Sequence, residues 1–390
     1  MNRSISQTYG LRLPGKIYSG AHSIEKLREI IDGKYKKIAV FTDAGVMAAG
    51  VLNRTLPILK ETGVQFLLLD NLPSEPTWQQ GQDIVARCLN YGAELIVAVG
   101  GGSVMDVAKL ASVLDDKDSV KTVLEHPEYC KKRIPAVMIP TTAGTGAEAT
   151  PNCILAVPEK ELKVGVVSEE MLADFVILER ENIRRLPPAI AAATGVDALC
   201  HAVECYTSKK ATPFSDMFAM EALRLIIPSI EKACMEPDAL EEKEKMLLGS
   251  FYAGVAITAS GTTGVHALSY PLGGKYHIPH GVANAIMLLP VMHYNESCCI
   301  EEFSRIYDAC LTDGNEYGRS EAEKADSFLL WLDGLLKKLP IKLSLKEYGI
   351  KEEDLDTLVK AGMEVQRLLV NNKREITAEA ARRLYREVID

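Results

Sequence analysis

No apolar run in this chain of 390 residues approaches the ~20 that a helix needs to cross a bilayer, so no membrane partner is expected. The opening residues, MNRSISQTYG, lack the apolar stretch of a secretory signal, which points to the cytoplasm. Blocks of like charge are also missing. The formal net charge is −9, the wrong sign for gripping a phosphate backbone, and this excludes nucleic acid as an expected partner. The nine cysteines are odd in number and contain no Cys-x-x-Cys pair, so they read as reduced thiols rather than a disulfide framework. Low-complexity stretches, long linkers and internal repeats are absent. What remains, 47% hydrophobic and 25% charged, is the balance of a globular protein long enough for two or three domains with a large core.

Four short apolar runs mark the first half: Lys37–Thr42, Phe66–Asp70, Glu94–Val99 and Ile134–Pro140. Helical spacing occupies Val46–Thr62, Trp78–Asn90 and Val104–Leu114. Apolar strands separated by amphipathic helices predict a parallel sheet covered on both faces. Residues 152–168 alternate around a Pro-Glu-Lys turn and predict a hairpin, with Phe175–Leu178 as a last strand. After Arg185 the texture changes. LPPAIAAATGVDALCHAVECYTS opens on a proline pair, and from there helix signals run to the end. The expected architecture is an α/β dinucleotide-binding domain of residues 1–186 followed by an all-α domain of 187–390.

The run Glu94–Val99 ends in Gly100-Gly101-Gly102-Ser103, and a helix follows. Glycines let backbone approach a phosphate, and the free N–H groups of a helix start attract its charge. A tight strand-to-helix turn without a ligand is the alternative. The next strand ends in Pro140-Thr141-Thr142-Ala143-Gly144-Thr145-Gly146, a second polar loop at a strand end where open α/β sheets bind ligands. Asp43, after the first run, suits a ribose 2′-OH and repels a 2′-phosphate, but serves equally as a helix N-cap. The order is unusual: the acid precedes the glycines, the reverse of the standard dinucleotide fingerprint.

Asp197 and His201, in TGVDALCHAVE, lie four apart at helical spacing and share a face. His266 lies in GTTGVHALSYPLGG and His280 in YHIPHGVAN. One carboxylate and three imidazoles suit Fe²⁺ or Zn²⁺. Such an i,i+4 pair is common on any helix, and spacing alone does not bring the later histidines to it.

The segments GGGSVMDVAK (100–109), IPTTAGTGAEAT (139–150), ATGVDALCHAVE (193–204), GVHALSYPLGGKYHIPHGVANAIMLLP (264–290) and LLVNNKREIT (368–377) together resemble the iron-containing (group III) alcohol dehydrogenases, relatives of glycerol dehydrogenase and dehydroquinate synthase. The resemblance covers nearly the whole chain. It implies a dehydroquinate synthase-like fold and NAD(P)-dependent interconversion of small alcohols and aldehydes or ketones. It implies Asp197, His201, His266 and His280 as ligands of one divalent ion. It places Asp43 at the adenosine ribose, Gly101, Gly102 and Ser103 at the pyrophosphate, Thr141, Thr142 and Thr145 in the second loop, and Lys163 toward the nicotinamide. An acid at position 43 accompanies NAD rather than NADP, and members are commonly dimers or larger.

One departure stands out. Many members carry a second histidine one turn after the first metal ligand of this segment, where this chain has Tyr270. The variant HALSYPLGG and the LLVNN stretch are similar to a 4-hydroxybutyrate dehydrogenase branch, which implies a substrate such as 4-hydroxybutyrate or succinate semialdehyde. The proton relay then falls to His277 or Tyr270. Lys275 is a possible partner for an anionic substrate, against the alternative of a solvated loop lysine. Two rival readings remain at this stage. A dehydroquinate synthase-type lyase would need several basic residues to hold a phosphate and a carboxylate, and the 264–280 stretch offers mainly Lys275. A non-catalytic nucleotide-binding protein would not need intact ligand and cofactor motifs.

Overall fold

A computed structural model describes residues 8–116, 119–160, 162–312 and 318–389. The chain forms two compact units, Arg12–Leu186 and the residues from Pro187 onward, with residues 8–11 belonging to the second through contacts such as Tyr9 against Phe214.

The first unit contains strands β1 (Lys16–Ser19), β2 (Lys37–Phe41), β3 (Gln65–Leu69), β4 (Leu95–Gly100), β5 (Ala136–Pro140), β6 (Asn152–Val157), β7 (Leu162–Val167) and β8 (Phe175–Leu178). Its helices are α1 (Lys26–Ile31), α2 (Ala44–Ala48), α3 (Leu56–Glu61), α4 (Trp78–Tyr91), α5 (Gly102–Val113) and α6 (Ser119–Glu125). Six strands form one parallel sheet in the order β1-β8-β5-β4-β2-β3, and β6 and β7 pair as the expected antiparallel hairpin. Every residue of β4 and β5 is buried, as coverage on both faces requires. Ile38, Val40, Val97, Val99, Ile139 and Ile177 share one core with Leu27, Ile31 and Leu59.

Strand β1 and the short helices α1 and α6 were not expected from the sequence, and one expected helix is broken. Strand β1 went unread because KIYS is short and largely exposed, with no apolar alternation; it is a strand only because β8 pairs with it. The single helix expected over Val46–Thr62 is broken. Gly50 turns left-handed at φ +69°, a short 3₁₀ turn follows, and α3 starts afresh with Pro57 in its first turn, where a missing N–H costs nothing.

The sheet order resolves the inverted fingerprint. β2 and β4 are neighbours, with β3 beyond one and β5 beyond the other, so the strand order reverses between them. Asp43 follows β2 and Gly101 follows β4, which sets acid and glycines side by side at the switch point of an open sheet.

The second unit holds α7 (Pro188–Thr207), α8 (Pro213–Ile226), α9 (Ile230–Met235), α10 (Leu240–Ser260), α11 (Gly264–Tyr276), α12 (His280–Cys310), α13 (Glu321–Lys338), α14 (Leu355–Glu364), α15 (Gln366–Leu369) and α16 (Ala378–Glu387). Among the described residues no helix is long and apolar enough to cross a membrane. α7 packs against α8, α9, α10 and α12, and it is buried all round from Gly195 to Thr207. A helix buried on every side cannot leave Asp197, His201 and Glu204 unpartnered without a heavy desolvation cost. α12 approaches α7 through Gly281, where a Cβ would stand 2.3 Å from the Ala193 carbonyl oxygen. Any larger residue there would push His280 away from α7.

Candidate metal centre and nucleotide loops

Three helix segments supply the polar cluster. Asp197, His201 and Glu204 lie on one face of α7 at spacings of four and three. His266 is in the first turn of α11, with Tyr270 one turn on. His277, left-handed at φ +56°, closes α11; buried Ile278 folds back, its N–H donating to Leu272 O, and Pro279 starts α12 so that His280 is its first residue. The donor atoms of Asp197, His201, His266 and His280 lie within 4.8 Å of one another. Asp197 Oδ1 is 3.7 Å from Nε2 of each histidine.

Glu204, which the sequence reading did not single out, orients this set. It is fully buried. One oxygen accepts from Thr263 N (3.1 Å), Thr263 Oγ1 (2.7 Å) and Val265 N (2.7 Å), capping the start of α11. The other accepts a short hydrogen bond from His266 Nδ1. That bond fixes the His266 tautomer and turns the Nε2 lone pair into the cluster, as outer-shell carboxylates do at metal sites. A polar residue three after His201 on an otherwise apolar helix was the available signal.

Asn284, one turn after His280 and fully buried, was also missed. Its Nδ2 donates to Asp197 Oδ1 at 2.6 Å and faces Nε2 of His266 at 3.0 Å and of His280 at 3.2 Å. These atoms all turn acceptor lone pairs toward one point. A carboxylate and imidazoles converging in a buried pocket fit a divalent cation.

The electrostatics follow from that convergence. Burial opposes charge on Asp197, but His201, His280 and His266 outweigh it and hold the carboxyl well below its usual range. For His266 burial again opposes charge, yet Glu204 and Asp197 push it up to about 9. A raised folded pKa means that this pairing stabilises the cation-free protein fully below the imidazole's ordinary 6.5 and is lost as pH rises through about 9. A metal must displace that proton. Its affinity should therefore rise about tenfold per pH unit below that point, or about 100-fold from pH 6 to pH 8, as read by chelator competition. A flat profile would contradict the assignment of His266.

The neighbouring candidates fall in different places. The half-buried Tyr270 ring centroid is 6.1 Å from that of His280, and its hydroxyl lies beside Arg367. His277 is exposed. Lys275 sets its Nζ over the Tyr276 ring at 5.2 Å, with its charge near Asp354.

In the first unit the two polar loops touch. A Cβ on Gly102 would come within 2.9 Å of Thr145 Cγ2, so a side chain there would force Thr145 to move. Thr142 packs over Gly101, and Thr141 N donates to Gly100 O at 3.0 Å. Buried Lys109 braces the second loop from below, donating to Ala147 O at 3.0 Å and pairing with Asp106 Oδ1 at 3.0 Å. Asp43 caps α2, its Oδ1 accepting from Val46 N at 2.9 Å, which is the alternative role weighed for it. Ser103 Oγ accepts from Glu75 N at 3.0 Å, and Glu75 pairs with Lys163 at 2.8 Å. Glu75, another residue missed in the sequence, holds an unfavourable φ of +52° in doing so. The nine cysteines are all free thiols.

A covered parallel sheet with glycine loops at its switch point and a helical unit bearing a candidate metal centre are the parts that a nucleotide- and metal-using enzyme requires. Comparison with known proteins agrees. Residues 14–180 match the family described as iron-containing alcohol dehydrogenase, and residues 191–389 match the Fe-containing alcohol dehydrogenase family, C-terminal. The chain is 35% identical over 356 residues to long-chain-alcohol dehydrogenase 1 of Geobacillus thermodenitrificans, covering 90% of this chain and 89% of the relative. It is 36% identical over 321 residues to 4-hydroxybutyrate dehydrogenase of Clostridium kluyveri, covering 80% and 84%. The solved sulfoacetaldehyde reductase of Bifidobacterium kashiwanohense, in complex with NAD⁺, superposes with a TM-score of 0.85 at 25% identity, over 99% of this chain and 100% of that one. The chain belongs to the iron-containing alcohol dehydrogenase family. It is therefore an oxidoreductase acting on CH–OH groups.

Proposed function

We propose that this protein is a divalent-metal-dependent, NAD-linked enzyme that interconverts a small alcohol and its aldehyde, and that the substrate carries an anionic group at its far end, as 4-hydroxybutyrate and succinate semialdehyde do. The observation carrying this reading is the convergence of Asp197, His201, His266 and His280, with Glu204 fixing one imidazole. The anionic substrate is supported by relatives that act on 4-hydroxybutyrate and on sulfoacetaldehyde.

The four donors would hold Fe²⁺ or Zn²⁺, which supplies Lewis acidity at the substrate oxygen, while the nicotinamide carries the hydride. The chain's own groups do the rest. Asp43 keeps Oδ2 for a ribose hydroxyl, and its charge disfavours the 2′-phosphate of NADP. Gly101, Gly102 and Ser103 present the start of α5 to the pyrophosphate. Thr141, Thr142 and Thr145 line the adjoining loop. Glu75 holds Lys163 in position toward the nicotinamide side. Burial raises the Tyr270 phenol above its usual value against the pull of Arg367, so it stays protonated near neutral pH and serves as a donor rather than a base. That leaves exposed His277, three residues before His280, to pass the proton to solvent.

The test is the absorbance of reduced nicotinamide with protein loaded with Fe²⁺ or Zn²⁺, offered NADH or NADPH and a panel of aldehydes. Turnover with NADH and a preference for aldehydes bearing a carboxylate or sulfonate is expected. No turnover of any aldehyde, or equal use of NADPH, would overturn the corresponding part.

A further inference from the structure

Asn284 sits among the proposed ligands with its nitrogen inward and its oxygen idle. It is fully buried on α12, one turn after His280, so the two share a face as Asp197 and His201 do on α7. Its Nδ2 stands 2.6 Å from Asp197 Oδ1, 3.0 Å from His266 Nε2 and 3.2 Å from His280 Nε2. An amide nitrogen has two hydrogens to give, and three acceptors surround this one. The amide oxygen Oδ1, which carries the lone pairs, is buried and has no hydrogen-bond partner. Buried oxygens are rarely left so, and one beside a candidate cation site has an evident use.

The spacings show where that use is. Two donors on one ion with bonds of ~2.1 Å lie about 3.4 Å apart at a tetrahedral angle and about 3.0 Å apart at a right angle. Asp197 Oδ1 is 3.7 Å from Nε2 of His201, His266 and His280, near the tetrahedral edge. The inner amide atom of Asn284, at 2.6, 3.0 and 3.2 Å, has right-angle spacing from Asp197, His266 and His280. It lies against the face those three donors form, the place of a fifth donor. An N–H group there would point positive hydrogens at a cation and lose its acceptors to it. The same amide, turned over about its last side-chain bond, sets Oδ1 in that place with little change of shape.

We infer that Asn284 Oδ1 is a fifth ligand of the divalent ion and that it biases the site toward Fe²⁺ over Zn²⁺. The inference rests on the proposed metal-dependent reaction and adds a residue to the ion's shell. Zn²⁺ settles readily at four donors in a tetrahedron, whereas Fe²⁺ among imidazoles and a carboxylate keeps further positions to fill. An added oxygen therefore helps Fe²⁺ more. Because the amide is neutral, it does so without adding a second negative charge beside buried Asp197.

The test loads the full chain with Co²⁺ as a spectroscopic probe and measures Fe²⁺ and Zn²⁺ affinities by chelator competition. The visible bands of Co²⁺ are intense with four donors in a tetrahedron and weaker with five. Wild type should show the weaker, five-donor bands. Asn284→Leu keeps the shape of the side chain, offers no oxygen and fills the place against water. Its bands should strengthen, and its Fe²⁺-to-Zn²⁺ affinity ratio should fall about tenfold. Asn284→Asp supplies an oxygen again and should return the wild-type bands. Four-donor bands in wild type, bands unchanged in Asn284→Leu or not returned in Asn284→Asp, or an equal loss of affinity for both ions would overturn the inference. Asn284 would then only hold Asp197 through its N–H, and the proposed function would stand. Should Asn284→Leu not fold, Asn284→Ala decides by the same ratio: a fall of about tenfold is expected, and no fall overturns it. A wild-type protein that binds none of the three ions would overturn the proposed function as well, which separates the two failures.

Discussion

Alanine in place of His280 is expected to cost the protein its divalent ion and its turnover while leaving it folded. Of the four proposed ligands, His280 can be removed most cleanly. It enters from the first position of α12, and its side chain is 31% exposed. Asp197 and His266 are 2% and 3% exposed and tied into the buried network, so changes there would mix binding with folding. Loss of an outer-shell partner alone typically weakens a metal site 10- to 100-fold, and loss of a direct donor should do at least as much, so a drop of about 100-fold or more is expected. Without the cation the substrate oxygen loses electrostatic stabilisation of several kcal/mol, and about 4 kcal/mol corresponds to a turnover loss near 1,000-fold. The checks are the metal-to-protein ratio after dialysis, NADH formation, and the melting temperature as a control. Full turnover by a metal-free His280→Ala preparation would sink the assignment of this cluster.

The second large effect is expected at Glu204, and it separates stability from binding. Glu204→Ala strips the acceptor from Thr263 N, Thr263 Oγ1, Val265 N and His266 Nδ1 at once. Removing one partner of a buried charged pair costs about 3–5 kcal/mol, so the melting temperature should fall sharply. Glu204→Gln keeps the shape and one acceptor but removes the charge. That variant should fold and bind metal about 10- to 100-fold more weakly. Its metal affinity should also depend on pH over a lower range, because the carboxylate that pushes His266 up to about 9 is gone. Unchanged affinity with an unchanged pH profile would show that Glu204 only caps α11.

Much of the fold could be read in advance because its central strands are buried on both faces. The runs at β2, β3, β4 and β5 are nearly all apolar, and little else in the chain looks like them. Among the elements that escaped, besides the short helices α1 and α6, are β1, whose strand character comes from β8, and the break at Gly50, where one left-handed residue interrupts an otherwise helical pattern. The site divides in the same way. Asp197 and His201 share a helix face by spacing alone, and His266 and His280 stand out by residue type. Glu204, Asn284 and Glu75 looked like ordinary polar residues, because what distinguishes each is a partner far away in the chain. Glu204 meets His266 across 62 positions and Asn284 meets Asp197 across 87.

The sequence by itself pointed to an α/β part followed by a helical part, to Asp197, His201, His266 and His280 as candidate ligands, and to the glycine loops, since periodicity and residue chemistry are local properties. Two matters were decided only by tertiary structure. Strand order placed Asp43 beside the glycine loop, although the acid comes two strands earlier in the chain. The close approach of α12 to α7 at Gly281 brought His280 toward Asp197. Each depends on which surfaces bury one another, and that is settled by long-range packing rather than by any window of residues.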